Sequence, residues 1–345
     1  YMSNSYKFIH FGCWGKKKIV VTKLVDVTES KDYAMVSVAG DNYYPEKKYD
    51  ETQKIEYKVF NPIHFNMLFE LLCKLKTSRE KGVKLIFGNH DINDIVSYNN
   101  DEGMHTIECN TLIKTIEFIN NVNNNCNNVS FFTDVMFNID APNTLVIFLD
   151  TTVYESKKLQ YKCYSENNIF SNEEDKNITT SEELREYQNQ RVKEIIDKYP
   201  DRQNIILVGH HPLVSYKDKK TTMVESYSGL LIEFFYNILN VTKSGSKKIY
   251  YLCADTHFYE KSTIIISDNK NENSIKIEQY IVGTGGADLD NPGVIFGQQN
   301  IKINKLNISF ERMEAVKDYG YLDCLYNLTD NEWKYIFVPV KNDID

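Results

Sequence analysis

Short apolar runs recur along the chain, and most of them stop abruptly at a small residue followed by polar ones. Lys7 to Phe11 predicts a first strand ending in Gly12-Cys13-Trp14-Gly15, and Tyr33 to Ala39 a second ending in Gly40-Asp41-Asn42-Tyr43-Tyr44-Pro45. A third, around Leu85, ends in Gly88-Asn89-His90-Asp91, and Thr144 to Leu149 predicts a fourth, ending in Asp150-Thr151-Thr152. Asn204 to Val208 runs into Gly209-His210-His211-Pro212, and Ile249 to Cys253 into Ala254-Asp255-Thr256-His257. Unbroken apolar runs bounded by turn residues fit strands buried inside a molecule.

Helical spacing separates these runs. Pro62 to Lys76 carries Ile63, Met67, Leu68, Leu71, Leu72 and Leu75 on one face, with Pro62 suited to a first turn. Thr180 and Glu183 form a capping-box pattern ahead of Leu184, Tyr187, Val192, Ile195 and Ile196. Val224 to Leu239 predicts a further helix. After it, Ser274–Val282, Asn300–Phe310, Gly320–Asn327 and Trp333–Pro339 read as hairpin-like strands. Strands alternating with helices, then a strand-rich part over about 260–340, predict an α/β layered sandwich spanning 1–345 as one domain. Residues 120–128, rich in Asn, read as a surface loop, and the polar stretch over about 154–179 as a long surface excursion.

Composition narrows the function. With 42% hydrophobic residues the chain can fill a large core, and a formal charge of −8 argues against general nucleic-acid binding. It leaves a metal-dependent enzyme acting on a phosphate ester open, because bound cations reverse the local field. Seven cysteines at irregular spacing do not suggest a disulfide framework. With no visible leader and no run long enough to span a membrane, an intracellular, cytoplasmic location is expected, a removed leader staying open. Oligomeric state leaves no mark in the sequence.

The polar strand ends carry the chemistry. Side chains at strand ends along one sheet edge converge without further arrangement of the backbone. In chain order, the blocks GCWG, GDNYY, GNHD, GHHP and ADTH resemble the five signature blocks of the calcineurin-like metallophosphoesterases. They are most similar to the purple-acid-phosphatase branch, whose blocks read GDWG, GDxxY, GNHD/E, GHxP and GHxH. Leu149-Asp150-Thr151 also matches a strand-end LDT common in that branch.

That resemblance implies a layered α-β-β-α sandwich with mixed sheets and a centre of two metal ions, Fe, Zn or Mn. Asp41 would bridge them. Cys13, Tyr44 and His257 would complete one position, and Asn89, His210 and Asp255 the other. It implies hydrolysis of a phosphorylated substrate, foremost a phosphomonoester, by a hydroxide held between the metals and attacking phosphorus in line. His90 would face the leaving oxygen, with Asp91 orienting its ring. Iron bound by a Tyr44 phenolate would make the protein coloured.

Two residues depart from the pattern. Cys13 stands where the family usually has Asp, and Asp255 where it has the first His of GHxH. A thiolate conserves charge but is softer, whereas a carboxylate adds charge and favours harder ions. Cys at the first block also occurs in lariat-debranching enzymes, which makes a phosphodiesterase or nuclease the rival enzyme. A catalytically impaired binding or scaffold protein is the rival from another class.

Blander readings stand beside these. Cys13 can be a buried small hydrophobe, Asp255 a turn acceptor, and Tyr44 a core cap, although alternation assigns packing to Tyr43. His211 should point away from His210, and Lys16-Lys17-Lys18 reads as a solvated loop.

Overall fold

The computed structural model describes residues 5–52, 55–77, 82–92, 94–98, 105–108, 113–115, 117–118, 129–131, 136–154, 180–219, 222–226, 228–241, 247–268, 273–295 and 297–341. The stretches expected as a surface loop at 120–128 and as an excursion beyond Tyr154 lie outside them.

The chain opens with strand β1 (Ser5–Phe11), helix α1 (Ile19–Ser30), strand β2 (Met35–Val38) and a hairpin of β3 (Glu46–Asp50) and β4 (Ile55–Val59). Helix α2 (Pro62–Cys73), strand β5 (Val83–Leu85), a single turn α3 (Asn89–Ile92), a hairpin of β6 (Asp94–Tyr98) and β7 (His105–Glu108), and β8 (Val129–Phe131) follow. Next come β9 (Met136–Ala141), β10 (Thr144–Leu149), a 3₁₀ turn Thr151–Tyr154, α4 (Ser181–Lys198) and β11 (Asn204–Val208). A hairpin of β12 (Ser215–Lys219) and β13 (Thr222–Ser226) leads to α5 (Gly229–Val241), then β14 (Lys248–Cys253), β15 (Tyr259–Asp268) and β16 (Ser274–Val282). The chain closes with β17 (Gln299–Ile303), β18 (Leu306–Val316), β19 (Gly320–Asn327) and β20 (Glu332–Pro339).

Two mixed sheets form. One has the order β20-β19-β1-β2-β5-β8, and the other β17-β18-β15-β16-β14-β11-β10-β9. In the first, β1, β2, β5 and β8 run parallel, and in the second β10, β11, β14 and β16 do. The alternation along each strand decides what lies on either face. On β10, Val146 and Phe148 join a core that also holds Phe8, Phe11, Val36, Val38, Leu24 and Phe69, so this core packs sheet on sheet and takes in α1 and α2. Leu145, Ile147 and Leu149 face the opposite way, against Leu184, Val192, Leu231 and Phe235 of α4 and α5. The layers are therefore α-β-β-α with mixed sheets, as the resemblance implied.

Local signals explain the helix starts. The Asn61 side chain accepts from the N–H groups of Ile63 and His64 at 3.1 Å each, ahead of Pro62. Thr180 and Glu183 make both halves of the capping box, at 3.0 and 3.1 Å.

Three expectations are corrected. Val224 to Ser226 belongs to strand β13, and the helix begins only at Gly229. Val224 is β-branched and its register partner is Lys217 of β12; that pairing wins over the apolar periodicity downstream. The run Asn300–Phe310 divides into β17 and β18 around Asn304, whose φ of 53° turns the chain tightly. Cys73 is disulfide-bonded, its partner outside the described residues, so a chain whose irregular cysteine spacing did not suggest a disulfide framework nevertheless holds a disulfide. Cys13, Cys253 and Cys324 are free and buried. Among the described residues no helix is long and apolar enough to cross a membrane.

Candidate metal centre

Five strand ends are stitched together across the two sheets. Cys13 N–H donates to Gly40 O at 3.0 Å, Gly12 N–H to Val282 O at 3.0 Å, and Ala254 N–H to His210 O at 2.9 Å. Gly40 and Gly88 touch so closely that a Cβ on Gly88 would lie 2.3 Å from Asp41 N and Oδ1. Glycine is required at that crossing because any side chain would displace Asp41.

The backbone is strained at the same place. Six non-glycine residues have positive φ among those described: Asn143, Asn304 and Asn331 in turns, and Cys13, Asp41 and Asp255, each just past a strand end. Asn tolerates this conformation, whereas for Cys it costs about 1–3 kcal/mol and persists only where surrounding contacts enforce it. The strain turns the three side chains into the gap between the sheets.

His210 lies at the centre of one group. Its Nδ1 is 2.7 Å from Ala39 O, a carbonyl that can only accept, so the ring hydrogen sits on Nδ1 and Nε2 carries a lone pair. Nε2 lies 3.0 Å from Asn89 Oδ1, 3.4 Å from Asp41 Oδ1 and 3.7 Å from Asp255 Oδ1. Four acceptor atoms thus converge, those of His210 and Asp41 buried and those of Asn89 and Asp255 on partly exposed side chains.

The other oxygen of Asp41 faces a second group. Tyr44 Oη donates to Oδ2 at 2.6 Å, and the Cys13 thiol lies 3.9 Å from it. Tyr44 Oη is also 3.3 Å from His257 Nε2, while His257 Nδ1 sits 2.9 Å from Asp288 O. The same reasoning puts the hydrogen of His257 on Nδ1 and aims Nε2 inward. The Tyr44 ring packs against His90 at 4.7 Å, and Tyr43 turns into the core against Phe60 and Phe65.

Ionisation follows burial and charge. Burial, then the carboxylates of Asp41 and Asp255, push the Cys13 thiol well up; burial, then Asp41 and Cys13, do the same to the Tyr44 phenol. Burial opposes ionisation of Asp41 too, but His210 and His90, whenever their rings carry a proton's charge, and the hydrogen bonds from Tyr44 and the His90 N–H outweigh it and hold the carboxyl below its usual range. Asp41 is therefore a carboxylate flanked by hydroxyl and thiol protons.

This donor set fits a cation. Apart from the His90 N–H that donates to Asp41 Oδ1, imidazole nitrogen, amide oxygen and carboxylates face one another around His210, an arrangement that positive charge resolves. Cys13, Asp41 and His210 present ligand atoms within 4.8 Å of one another, and so do His210, His211 and Asp255. A cation on the Tyr44 side would displace protons from Cys13 and Tyr44.

Several supports were not visible in the sequence. Asn42, fully buried, donates from its backbone N–H and its side-chain amide to Asp91, donates to Ile86 O, and accepts from Trp14 Nε1, all at 2.9–3.0 Å. It joins the first three blocks. Asp91 also accepts from Gly88 N–H at 2.8 Å. Through these contacts Asp91 ties two strand ends together, a task the sequence did not show. Asp288 and Asp290 hold the loop beside His257: Asp290 accepts from His257 N–H and pairs with Lys217 at 3.1 Å each. Lys16 and Lys17, expected as a solvated run, pair with Asp288. His211, expected to point away from His210, stays beside it; its ring stands 4.8 Å from that of His210, nearly perpendicular.

No curated protein matches the chain in sequence. The calcineurin-like phosphoesterase family matches residues 6–259, a span that holds all five signature blocks and the parallel strands that carry them. Members of this family typically bind metal ions, for which the clustered ligand atoms around Asp41 and His210 provide. The chain belongs to the calcineurin-like phosphoesterase family.

Proposed function

We propose that the protein is a metal-dependent phosphoric ester hydrolase resembling the purple-acid-phosphatase branch, acting on phosphomonoesters. The observation that supports it is the division of Asp41: Oδ1 faces His210, around which Asn89 and Asp255 also gather, while Oδ2 faces Tyr44, Cys13 and, beyond them, His257. A carboxylate with one oxygen in each of two ligand groups suits a bridge between two metal ions. Cys13, Asp41, Tyr44 and His257 would hold one ion, and Asp41, Asn89, His210 and Asp255 the other.

Bound there, the ions would activate a water as nucleophile and neutralise charge on the phosphoryl oxygens. The chain's own residues set up the rest. His90, held by its N–H on Asp41 and by its ring against Tyr44, would place an imidazole over the leaving oxygen and supply its proton. Asp91 and Asn42 keep Asn89 and Asp41 in register. The same reading takes residues 1–345 as one domain, since residues from Tyr6 to Trp333 share one core.

Cys13 favours one rival, a phosphodiesterase of the kind that resembles lariat-debranching enzymes. Turnover of a generic phosphomonoester, a phosphodiester and branched RNA with added Mn, Fe or Zn separates the two. Monoester turnover that vanishes in Asn89→Ala supports the proposal; turnover confined to the diester or to branched RNA replaces it; none with any metal refutes both.

A further inference from the structure

Thr151 opens the 3₁₀ turn that follows β10 and sits under the two adjacent histidines. Its Oγ1 is 3.0 Å from His210 N, 3.0 Å from His211 N and 3.0 Å from His211 Nδ1. The two backbone N–H groups can only donate, so they take both lone pairs of the hydroxyl. The hydroxyl hydrogen is then committed to the third partner, His211 Nδ1, which must accept it. A neutral imidazole that accepts at Nδ1 carries its own hydrogen on Nε2.

The neighbour is set the opposite way. His210 Nδ1 meets the carbonyl of Ala39 at 2.7 Å and leaves Nε2 bare, as His257 does through Asp288 O. We infer that Thr151 is a positioning residue of the centre that fixes His211 as the Nε2–H tautomer and so withholds it from metal binding. Geometry alone would admit His211 as a ligand, because its nitrogen, His210 and Asp255 lie within 4.8 Å of one another. Hydrogen-bond bookkeeping removes it: ligation through Nε2 would move the ring hydrogen to Nδ1, where Thr151 has no lone pair left to receive it. His211 thereby keeps its Nε2–H within the group that also holds Asp255.

The platform under Thr151 is rigid. Gln188 of α4, fully buried, accepts from Asp150 N–H at 2.9 Å and donates to Asp150 O at 3.1 Å, and Asp150 Oδ1 receives Thr152 N–H at 2.9 Å. Thr151 is therefore placed by the helix layer behind the sheet, and a single hydroxyl passes that placement to both histidines.

The inference rests on the proposed metal centre for its purpose but not for its test. Side-chain ¹⁵N spectra of histidine-labelled, metal-free protein read each tautomer directly, with His211→Gln identifying the signal. The expected result is His211 protonated on Nε2, with His210 and His257 protonated on Nδ1. In Thr151→Val the His211 signal should shift to a mixture of tautomers, and Thr151→Ser should restore it. A His211 that is Nδ1-protonated in the wild type, or whose tautomer is unchanged in Thr151→Val, overturns the inference. Addition of Zn should move the His210 signal and leave His211 protonated on Nε2; a zinc-bound His211 nitrogen overturns it equally. A protein with these tautomers but without turnover would defeat the hydrolase proposal and leave this one standing.

Discussion

Asn42 and Asp91 meet through two hydrogen bonds of 2.9 Å, one from the backbone N–H of Asn42 and one from its side-chain amide. The blocks around Asp41 and Asn89 come from different strands, and this pair sets their separation. Both residues are buried, at 0% and 1% exposure, so water does not replace a lost partner. Asn42→Ala would keep the backbone N–H bond to Asp91 but remove the side-chain amide that donates to Asp91 and Ile86 O, and leave Trp14 Nε1 without its acceptor. Buried groups left so cost about 1–3 kcal/mol each, non-additively, and the expected loss in denaturant unfolding is about 3 kcal/mol. Asp91→Ala should cost a similar amount, and the double variant less than the sum; strict additivity would show that the two are not coupled.

Arg312 fastens the loop that carries Asp288 and Asp290. It donates to buried Glu260 at 2.7 Å through Nε and to the carbonyls of Pro292, Gly293 and Tyr216. Burial still pushes the Glu260 carboxyl up to about 7, even with the Arg312 charge and hydrogen bond pulling it down. Arg312→Ala strands that carboxylate and should cost about 3–5 kcal/mol, whereas replacing Arg312 and Glu260 together by Met and Leu should cost much less. Thermal and urea unfolding of both variants measure the difference; equal losses would deny the pair its role.

His10 predicts an acid sensitivity. It is buried between the sheets, with Nδ1 3.0 Å from Ser37 Oγ and Nε2 3.4 Å from Cys253 O, and burial lowers its pKa to about 3, a backbone hydrogen bond partly opposing. The unfolded chain protonates near pH 6.5, so below that pH protons favour the unfolded state. The contribution of His10 is whole above pH 6.5 and drains away as pH falls towards 3, by about 1 kcal/mol per unit. Urea unfolding between pH 7.5 and 4.5 should fall less steeply for His10→Gln than for the wild type. Parallel slopes would contradict this.

Tyr44 offers a spectroscopic check. Its hydroxyl lies 2.6 Å from Asp41 and 3.3 Å from His257 Nε2. If it ligates ferric iron, iron-loaded protein absorbs visible light and Tyr44→Phe bleaches it while still folding. Unchanged colour in Tyr44→Phe, or no colour in iron-loaded wild type, removes Tyr44 from the ligand set.

The layers and the ends of the strands were legible because both-face burial writes unbroken apolar runs, and Thr144–Leu149 and Asn204–Val208 match their strands residue for residue. The candidate ligands were legible because they fall at those ends. What holds them was not. Asn42 bonds to Trp14, Ile86 and Asp91, partners far away in sequence, and the pattern around it gives no sign of them. Thr151 looked like a strand-end residue, and only its three contacts with His210 and His211 show what its hydroxyl does. Val224 misled because helical and strand patterns overlap across a short hairpin, where pairing with β12 decides.

The division of Asp41 between two ligand groups is tested most directly by counting metal. Elemental analysis of protein saturated with Mn, Fe or Zn should give two ions per chain for the wild type. His210→Ala should lose one, and Asp41→Asn both, with circular dichroism confirming that each variant is folded. A wild type that retains no metal, or a folded Asp41→Asn that keeps the full complement, would contradict the account.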